Sequence, residues 1–327
     1  MKKITILEPG AWGTALGIIL SKEYKIVFWY KSSSLALRIK KAGENDRLPG
    51  IKIPKEVNIS SDLKKTIKDA CLAVVASPSF SFRKTINALK RIKNLPPILG
   101  IAKGIEKESL KLPSQVLEEV LGNIPYAHLS GPGFAKEVAR GKRTKEVLAS
   151  KDEALLRRLK KAFQIKPFSI FTTTDLIGVE LAGTLKNALA IGISLVEASL
   201  TGAKLDRIKK KLIYYALEEM IELGQAMGAR KETFLGPAGI DDLILTATNP
   251  LSRNFQFGKR LLHDSKKMRE EIKQRKITVE GFNNICALHR LAKIYKLNLP
   301  MIEEIYKVIY KKIYPKRTVK NLISLVE

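Results

Sequence analysis

The chain has 327 residues, which is enough for two domains that each have a core of their own. Hydrophobic residues make up 45% and charged residues 28%, a balance that excludes a disordered chain and is typical of a soluble globular protein. The 59 Lys and Arg against 32 Asp and Glu give a formal charge of +27, which favours anionic partners such as phosphorylated metabolites. Because the basic residues are spread along most of the chain, we interpret the charge as a compositional bias rather than a specific nucleic-acid function.

Short apolar, β-branched runs alternate with helix-compatible segments over the first half of the chain. Strands that alternate with helices predict βαβ units and an α/β fold with a doubly wound, mostly parallel sheet. The predicted strands lie at 4–7, 25–30, 72–77, 98–102, 127–130, 147–149 and 169–172.

From about residue 175 the strand pattern stops and helical periodicity takes over. The predicted layout is therefore a dinucleotide-binding α/β domain over 1–175, followed by an all-α C-terminal domain over 176–327. Helices are predicted at 176–200, 203–228, 252–262, 278–296 and 299–313.

Three features bear on the compartment. The first apolar run, 4–7, is far too short for a secretory signal. The longest nearly uncharged apolar stretch, 181–196, is shorter than a membrane span and contains Lys186, so we expect a buried core helix and no membrane span. Cys71 and Cys286 lie in apolar contexts, which favours reduced thiols and a cytoplasmic protein.

The residues after the first predicted strand have the pattern of a dinucleotide-binding turn. Gly10 and Gly13 stand where the second and third glycines of the fingerprint let backbone approach a pyrophosphate and let the helix pack on the strand. Glu8 stands where the first glycine makes the tight turn. An ordinary βα turn explains the same residues, so this loop alone leaves both interpretations open.

The end of the second predicted strand bears on the type of cofactor. An NAD site has an acid about 20 residues past the glycine loop, to bind the ribose 2′-hydroxyl. This strand ends in Trp29, Tyr30 and Lys31 with no acid. Lys31 and the serines after it favour a 2′-phosphate and therefore NADP over NAD. A solvated loop lysine is the competing interpretation.

Lys186 is the only charged residue within 181–196. A lysine in such a helix lies at a helix end, reaches solvent or faces a polar cavity, and desolvation lets a lysine exchange a proton near neutral pH. Farther along, 235–258 concentrates acids and hydroxyl groups with Arg253 and Asn254, a set that can bind a small phosphorylated polyol. Ser252 also fits the N-cap of a helix.

Taken together, these segments resemble the bacterial-type NAD(P)-dependent sn-glycerol-3-phosphate dehydrogenases, and the resemblance runs nearly end to end. The motifs "SGPGFAKE" (130–137), "LKN" (185–187) and "SRN" (252–254) occur in the order that is specific to that family. The resemblance implies a Rossmann-type first domain, a small phosphorylated substrate, NADP or NAD as cofactor, and no metal. The implied reaction reduces dihydroxyacetone phosphate to glycerol 3-phosphate, the backbone precursor of glycerophospholipids. The resemblance leaves open whether the protein forms a homodimer.

The resemblance also assigns roles by position. Lys186 resembles the catalytic acid/base, and Asp242 the residue that holds and polarises it. The other positions on the substrate side are Lys103, Gly131, Gly133, Asn187, Ser252, Arg253 and Asn254. The positions on the cofactor side are Gly10, Ala11, Trp12, Gly13, Lys31, Lys103, Ala135, Arg253, Thr278 and Glu280.

The chain departs from the family pattern at four places. Glu8 replaces the first fingerprint glycine, and Asp241 stands where a glycine usually precedes the acid. Segment 201–220 lacks the usual Gly-x-Asn loop and Thr-Arg-Gly helix segment. Arg207 stands in the Asn position, and Tyr214 and Tyr215 stand in the Thr-Arg positions. Also, a hydroxyl residue is common where Gly133 stands.

These departures keep alternatives open. One is a diverged, catalytically impaired relative with a binding or regulatory role, although the retained lysines, acid and Ser-Arg-Asn set argue against it. A dehydrogenase for another small acid is a second, which the phosphate-type set disfavours. A third is nucleic-acid binding through Tyr306, Tyr310 and Tyr314, which alternate with lysines. Tyrosines at this spacing more often form a packing stripe, so we expect packing and no specific nucleic acid.

Overall fold

The structure, a computed structural model, describes residues 1–274 and 278–327, apart from the side chains of Arg269, Ile272 and Lys273. The chain divides into two compact units. The first contains Met1–Ala102 and Pro113–Leu176, and the second contains Lys103–Leu112 and Ile177–Glu327. The short excursion 103–112 into the second unit is absent from the layout drawn from the sequence, which cut the chain once.

The first unit is built on one sheet in the order β3-β2-β1-β4-β5-β6-β7-β8. All neighbouring strands are parallel except β6 and β7, so the predicted doubly wound, mostly parallel sheet is confirmed. The third strand was not predicted from the sequence. The strands are β1 (Lys3–Leu7), β2 (Lys25–Trp29), β3 (Asn58–Ser60), β4 (Ala70–Val75), β5 (Ile98–Gly100), β6 (Tyr126–Ser130), β7 (Thr144–Ala149) and β8 (Phe168–Thr173).

Seven helices connect these strands. They are α1 (Ala11–Leu20), α2 (Ser33–Ala42), α3 (Leu63–Ile67), α4 (Phe82–Leu89), α5 (Pro113–Leu121), α6 (Ala135–Ala139) and α7 (Glu153–Phe163). Close packing fixes α1 on the sheet, because a Cβ atom added to Gly13 would lie 2.5 Å from the Cβ atom of Ala76. Gly13 therefore performs the packing role expected of the third fingerprint glycine.

The rest of the chain is helical, as the sequence predicts. Its helices are α8 (Leu176–Glu197), α9 (Gly202–Ala226), α10 (Lys231–Phe234), α11 (Asp242–Thr248), α12 (Arg253–Lys273), α13 (Glu280–Ile294), α14 (Pro300–Tyr310) and α15 (Pro315–Ser324). A π-helical turn, Pro237–Asp241, leads into α11. The helix predicted at 252–262 continues to Lys273, with a break at Asp264, whose φ of −142° is not helical.

Helix α8 is the core of the second unit. It is long and apolar enough to cross a membrane by length and composition, but 94% of its apolar window is buried. Leu181, Leu185 and Leu189 are fully buried in one cluster with side chains from the other helices. The structure thus agrees with the expectation of a buried core helix.

The tyrosines of α14 pack as the sequence predicts. The ring of Tyr306 stacks on the ring of His289 with centroids 3.8 Å apart, and on the ring of Tyr310 at 5.5 Å. The Tyr310 hydroxyl donates to the carbonyl of Phe282 at 3.1 Å. Tyr314, beyond the end of the helix, is 66% exposed, so the packing expected of this third tyrosine is wrong. The first two tyrosines therefore form a packing stripe.

A buried carboxylate holds α14 against α9. Glu219 accepts hydrogen bonds from the backbone N–H groups of Met301 and Ile302, at 2.6 and 3.0 Å. These two donors lie in the first turn of α14, where helical N–H groups have no partner within the helix. Burial of Glu219 outweighs these bonds and raises its pKa to about 7.

This shift predicts a dependence of stability on pH. Between the ordinary pKa of 4.5 and about 7, the folded chain holds a proton on Glu219 that the unfolded chain releases. Stability from this group is therefore complete below the lower value and falls as pH rises, by roughly 3 kcal/mol in all. Urea unfolding at about pH 5 and about pH 8 should show this loss in the native chain and not in Glu219→Gln. Glu218→Gln, at the exposed neighbouring position, is the control. Equal pH dependence in all three proteins would contradict the assignment.

Candidate active site

The glycine loop presents an unblocked helix N-terminus. Gly10 is the N-cap of α1, its backbone is extended, and it carries no side chain that could cap the helix. The first turn of α1 contains no acidic residue. The free N–H groups and the helix dipole therefore favour a phosphate at this end, and Ala11 and Trp12 form the start of the helix that would receive it. These residues fit a dinucleotide.

Glu8 adopts the conformation that the missing glycine would take. Its φ angle is 52°, in the left-handed region that non-glycine residues seldom occupy. Its side-chain Oε1 accepts a hydrogen bond from the backbone N–H of Lys31 at 2.7 Å. The carboxylate is thus bonded to the chain just beyond the end of β2, through a backbone amide.

The serines after Lys31 have a local role. The hydroxyl of Ser32 accepts from the backbone N–H of Leu35 at 3.2 Å and caps α2. It also shares a hydrogen bond with the Ser34 hydroxyl at 2.8 Å. Capping explains Ser32 without a phosphate, while the Lys31 side chain is exposed.

A hydrogen-bond network beside the glycine loop was not predicted from the sequence. The two N–H groups of the buried Asn45 amide are shared among three acceptors: the Pro9 carbonyl at 3.0 Å, the Thr14 hydroxyl at 2.8 Å and the Tyr30 hydroxyl at 3.1 Å. Its Oδ1 accepts from the backbone N–H of Arg47. A Cβ atom on Gly10 would lie 3.8 Å from an Arg47 guanidinium nitrogen. Asn45 thereby places a cation beside the N-terminus of α1, and only the three-dimensional contacts reveal it.

The Gly131–Gly133 turn has no room for side chains. A Cβ atom on Gly131 would lie 2.7 Å from Oε2 of Glu146, and one on Gly133 would lie 2.9 Å from Oγ1 of Thr144. Thr144 donates to the Pro132 carbonyl at 3.0 Å. A hydroxyl from Thr144 and a carboxylate from Glu146, both on β7, therefore approach this turn.

Trp12 joins two of the predicted site segments. Its indole Nε1 donates to the carbonyl of Gly133 at 3.1 Å, and its ring lies 6.4 Å from that of Phe168. The glycine loop is thereby bonded to the turn that precedes α6, whose first residue is Ala135. Both segments belong to the first unit.

The second unit contains the charged centre. Asp242, the first residue of α11, accepts from Lys186 Nζ on Oδ1 at 3.0 Å and from Lys103 Nζ on Oδ2 at 2.6 Å. Lys186 Nζ also donates to the Thr246 hydroxyl at 2.7 Å. Thr246 lies one turn after Asp242 on α11, so both face the same lysine. One carboxylate thus orients two ammonium groups.

Burial makes this arrangement electrostatically strong. Asp242 is 2% exposed and Lys186 is 7% exposed. Burial alone favours a protonated carboxyl, but the ammonium groups of Lys103 and Lys186 more than offset it and lower the pKa of Asp242. The carboxylate is therefore charged at neutral pH, and it fixes each lysine by a charge-assisted hydrogen bond.

An amide ladder runs beside this centre. Asn187, next to Lys186 on α8, donates to the Gly183 carbonyl at 3.1 Å and accepts from Nδ2 of Asn254 at 2.8 Å. Oδ1 of Asn254 accepts from the backbone N–H of Gly281 at 2.9 Å, at the start of α13. The ladder fixes α8, α12 and α13 relative to one another within the second unit.

The three residues of the Ser-Arg-Asn segment have different roles. Ser252 accepts from the backbone N–H of Phe255 at 3.2 Å, so the N-cap interpretation of its hydroxyl is correct. Asn254 is buried in the ladder. Arg253 is exposed, and its guanidinium forms no hydrogen bond or ion pair with any residue in 1–274 or 278–327. Among these three side chains, Arg253 has the donors that an external anion can use.

Comparison with known proteins decides the family. Family models for the N-terminus and the C-terminus of NAD-dependent glycerol-3-phosphate dehydrogenase match residues 3–156 and 175–320. A glycerol-3-phosphate dehydrogenase [NAD(P)+] from Thermoanaerobacter is 35% identical, over 98% of this chain and 97% of the relative. One from Carboxydothermus hydrogenoformans is 37% identical, over 98% and 96%. The chain belongs to the NAD-dependent glycerol-3-phosphate dehydrogenase family.

A solved structure agrees with this. The glycerol-3-phosphate dehydrogenase of Coxiella burnetii is 31% identical and superposes with a TM-score of 0.91, covering 98% of each chain. The resemblance inferred from the motifs is thus confirmed, and with it the Rossmann-type fold and the assignment to a family of NAD(P)-dependent oxidoreductases.

The segment that departs from this dehydrogenase family forms an uninterrupted helix. Arg207 and Tyr214 are exposed on α9, while Tyr215 packs in part against the core of the second unit. Arg207 and Tyr214 form no hydrogen bond or ion pair within the described part of the chain. The remaining cofactor-side positions, Thr278 and Glu280, lie at the start of α13 and are half-buried.

Proposed function

We propose that this protein interconverts dihydroxyacetone phosphate and sn-glycerol 3-phosphate with NAD(P)H and so supplies glycerophospholipid synthesis. The observation that carries the proposal is the buried contact of Lys186 with Asp242 and Thr246. Such a contact holds an ammonium group in a fixed orientation, which a proton donor requires. The matching full-length relatives carry the name of this enzyme, whereas nothing specific favours the alternative of a catalytically impaired relative.

The residues that the family resemblance assigns to the cofactor are Gly10, Ala11, Trp12, Gly13, Lys31, Lys103, Ala135, Arg253, Thr278 and Glu280. When bound, NAD(P)H supplies the hydride. The chain's own part is to hold the pyrophosphate at the N-terminus of α1, where N–H groups and dipole favour negative charge.

The chain's own chemistry is the transfer of a proton. As the substrate ketone carbon gains a hydride, its oxygen gains negative charge, and Lys186 gives that oxygen a proton from Nζ. Asp242 and Thr246 hold Nζ in place, and Lys103 adds a second positive charge to stabilise the oxyanion. In the reverse direction Lys186 takes the proton from the hydroxyl.

The remaining residues of the proposed site select the substrate. Arg253 would bind the phosphate through its exposed guanidinium, and Ser252 and Asn254 fix the helix start that carries it. Asn187 is held by Asn254 and orients a substrate hydroxyl. Gly131 and Gly133 would contact the substrate through backbone atoms alone.

Arg253→Ala tests the phosphate contact. A lost charge-assisted contact costs roughly 1.5–3 kcal/mol, so at saturating NAD(P)H kcat/KM for dihydroxyacetone phosphate should fall about 10- to 100-fold, with little change for unphosphorylated dihydroxyacetone. Steady-state kinetics with both substrates measure the difference. Arg317→Ala, an exposed arginine on α15, is the matched control and should change neither value. Equal losses for both substrates in Arg253→Ala would show that this residue does not bind the phosphate.

The location and assembly of the protein are also proposals. Cys71 and Cys286 are free thiols, which supports a reducing, cytoplasmic location. A homodimer stays a prediction, which light scattering of the purified protein would test.

A further inference from the structure

We infer that Glu8 selects the cofactor, favouring NADH over NADPH. The inference rests on the proposed function, since it concerns the cofactor of the same reaction. It differs from the preference for NADP that Lys31 and its neighbouring serines suggest in the sequence.

The position of the carboxylate carries the argument. In dinucleotide-binding sheets, an acid at the end of the second strand binds the adenosine ribose 2′-hydroxyl. Here β2 ends at Trp29 with no acid, and Glu8 reaches that end from β1 by accepting the backbone N–H of Lys31 at 2.7 Å. The acid missing from one strand is thus supplied by the other.

One oxygen of this carboxylate remains available. Oε1 is engaged by the Lys31 amide, whereas Oε2 accepts no hydrogen bond within residues 1–274 and 278–327. A fixed carboxylate oxygen accepts a hydrogen bond from a ribose hydroxyl, and it repels a phosphate at the same carbon. The discrimination therefore acts in both directions, because it attracts the NADH hydroxyl and disfavours the extra charge of NADPH.

The nearby cations do not reverse this preference. A guanidinium nitrogen of Arg47 lies beside Gly10, where its distance to an added Cβ would be 3.8 Å. That is the pyrophosphate end of the loop, and the pyrophosphate is common to both cofactors. The Lys31 side chain is exposed and bonds to no described residue, so water screens its charge.

The φ angle of 52° shows that Glu8 adopts a backbone conformation that glutamate disfavours. A glutamate in the left-handed region is strained, and glycine would adopt the same turn freely. The hydrogen bond from Lys31 fixes the side chain in spite of that strain. A variant that keeps the strain but loses the charge separates the two effects, and Glu8→Gln is that variant.

Binding titrations of the full-length protein with NADH and NADPH test the inference, without dihydroxyacetone phosphate present. The native protein should bind NADH at least about tenfold more tightly than NADPH. Glu8→Gln should lose most of this preference, mainly by tighter binding of NADPH, and Glu8→Gly should bind NADPH more tightly still. Glu23→Gln, at the opposite end of α1, removes the same charge and should leave the ratio unchanged.

The outcomes are distinct. The role of Glu8 is overturned if the native protein binds NADPH as tightly as NADH, or if Glu8→Gln leaves the ratio of the two affinities unchanged. In either case, turnover with one of the cofactors leaves the proposed function intact. A protein that binds neither cofactor overturns both.

Discussion

Lys186→Ala should lower kcat for dihydroxyacetone phosphate by about 10²- to 10⁴-fold, the usual contribution of a general acid. Loss of the proton donor leaves a developing alkoxide that water must protonate. Binding of NADH should change little, because Lys186 makes its contacts with Asp242 and Thr246 on α11. Stopped-flow or steady-state kinetics give kcat, and titration gives cofactor affinity.

Two comparisons keep this result specific. Lys210→Ala removes an exposed lysine of α9 and should leave kcat unchanged. Circular dichroism of Lys186→Ala should match the native protein, because a lost fold would also abolish activity. Near-native kcat in a folded Lys186→Ala would assign the proton transfer to another group.

Asp242→Asn should lower both activity and stability. The carboxylate is the shared partner of Lys103 and Lys186, and without it two ammonium groups lie together at a largely buried position. Removing one member of a buried ion pair typically destabilises a protein by about 3–5 kcal/mol. Because the same change misplaces the proton donor, kcat should fall as well.

The pKa of Asp242 sets the pH range of that difference. Since its pKa is lowered in the folded chain, the stabilisation by its charge is present at neutral pH and is lost only as pH falls through the lowered pKa. The gap in unfolding free energy between native and Asp242→Asn proteins should therefore persist from about pH 8 to about pH 5. Asp206→Asn, at an exposed site on α9, is the control. A gap below about 1 kcal/mol would indicate that the two lysines rearrange without cost.

Local sequence pattern was enough to predict most of the fold. The strands with β-branched, buried residues, such as β1 and β4, were predicted within two residues of their ends, because burial on both faces leaves a continuous apolar run. The three residues of β3 carry no such run and were missed. The assignment of residues 103–112 to the second unit was not predicted either, because it depends on contacts between residues distant in sequence.

The candidate site, like the fold, could be predicted from the sequence only in part. The lone charge of Lys186 in an apolar helix was visible in the sequence, and so was an acid near it. The simultaneous contact of Lys103 with Asp242 joins residues 139 positions apart, which only the folded chain brings together. The direction of the Glu8 side chain was equally hidden, because it depends on the positive φ angle and on the Lys31 amide.

The NAD(P)H absorbance of the native protein mixed with dihydroxyacetone phosphate tests the proposed reaction most directly. We predict that the absorbance falls, that one glycerol 3-phosphate forms for each reduced cofactor consumed, and that unphosphorylated dihydroxyacetone reacts far more slowly. A folded protein that binds the reduced cofactor yet leaves its absorbance constant with dihydroxyacetone phosphate would contradict the proposed reaction.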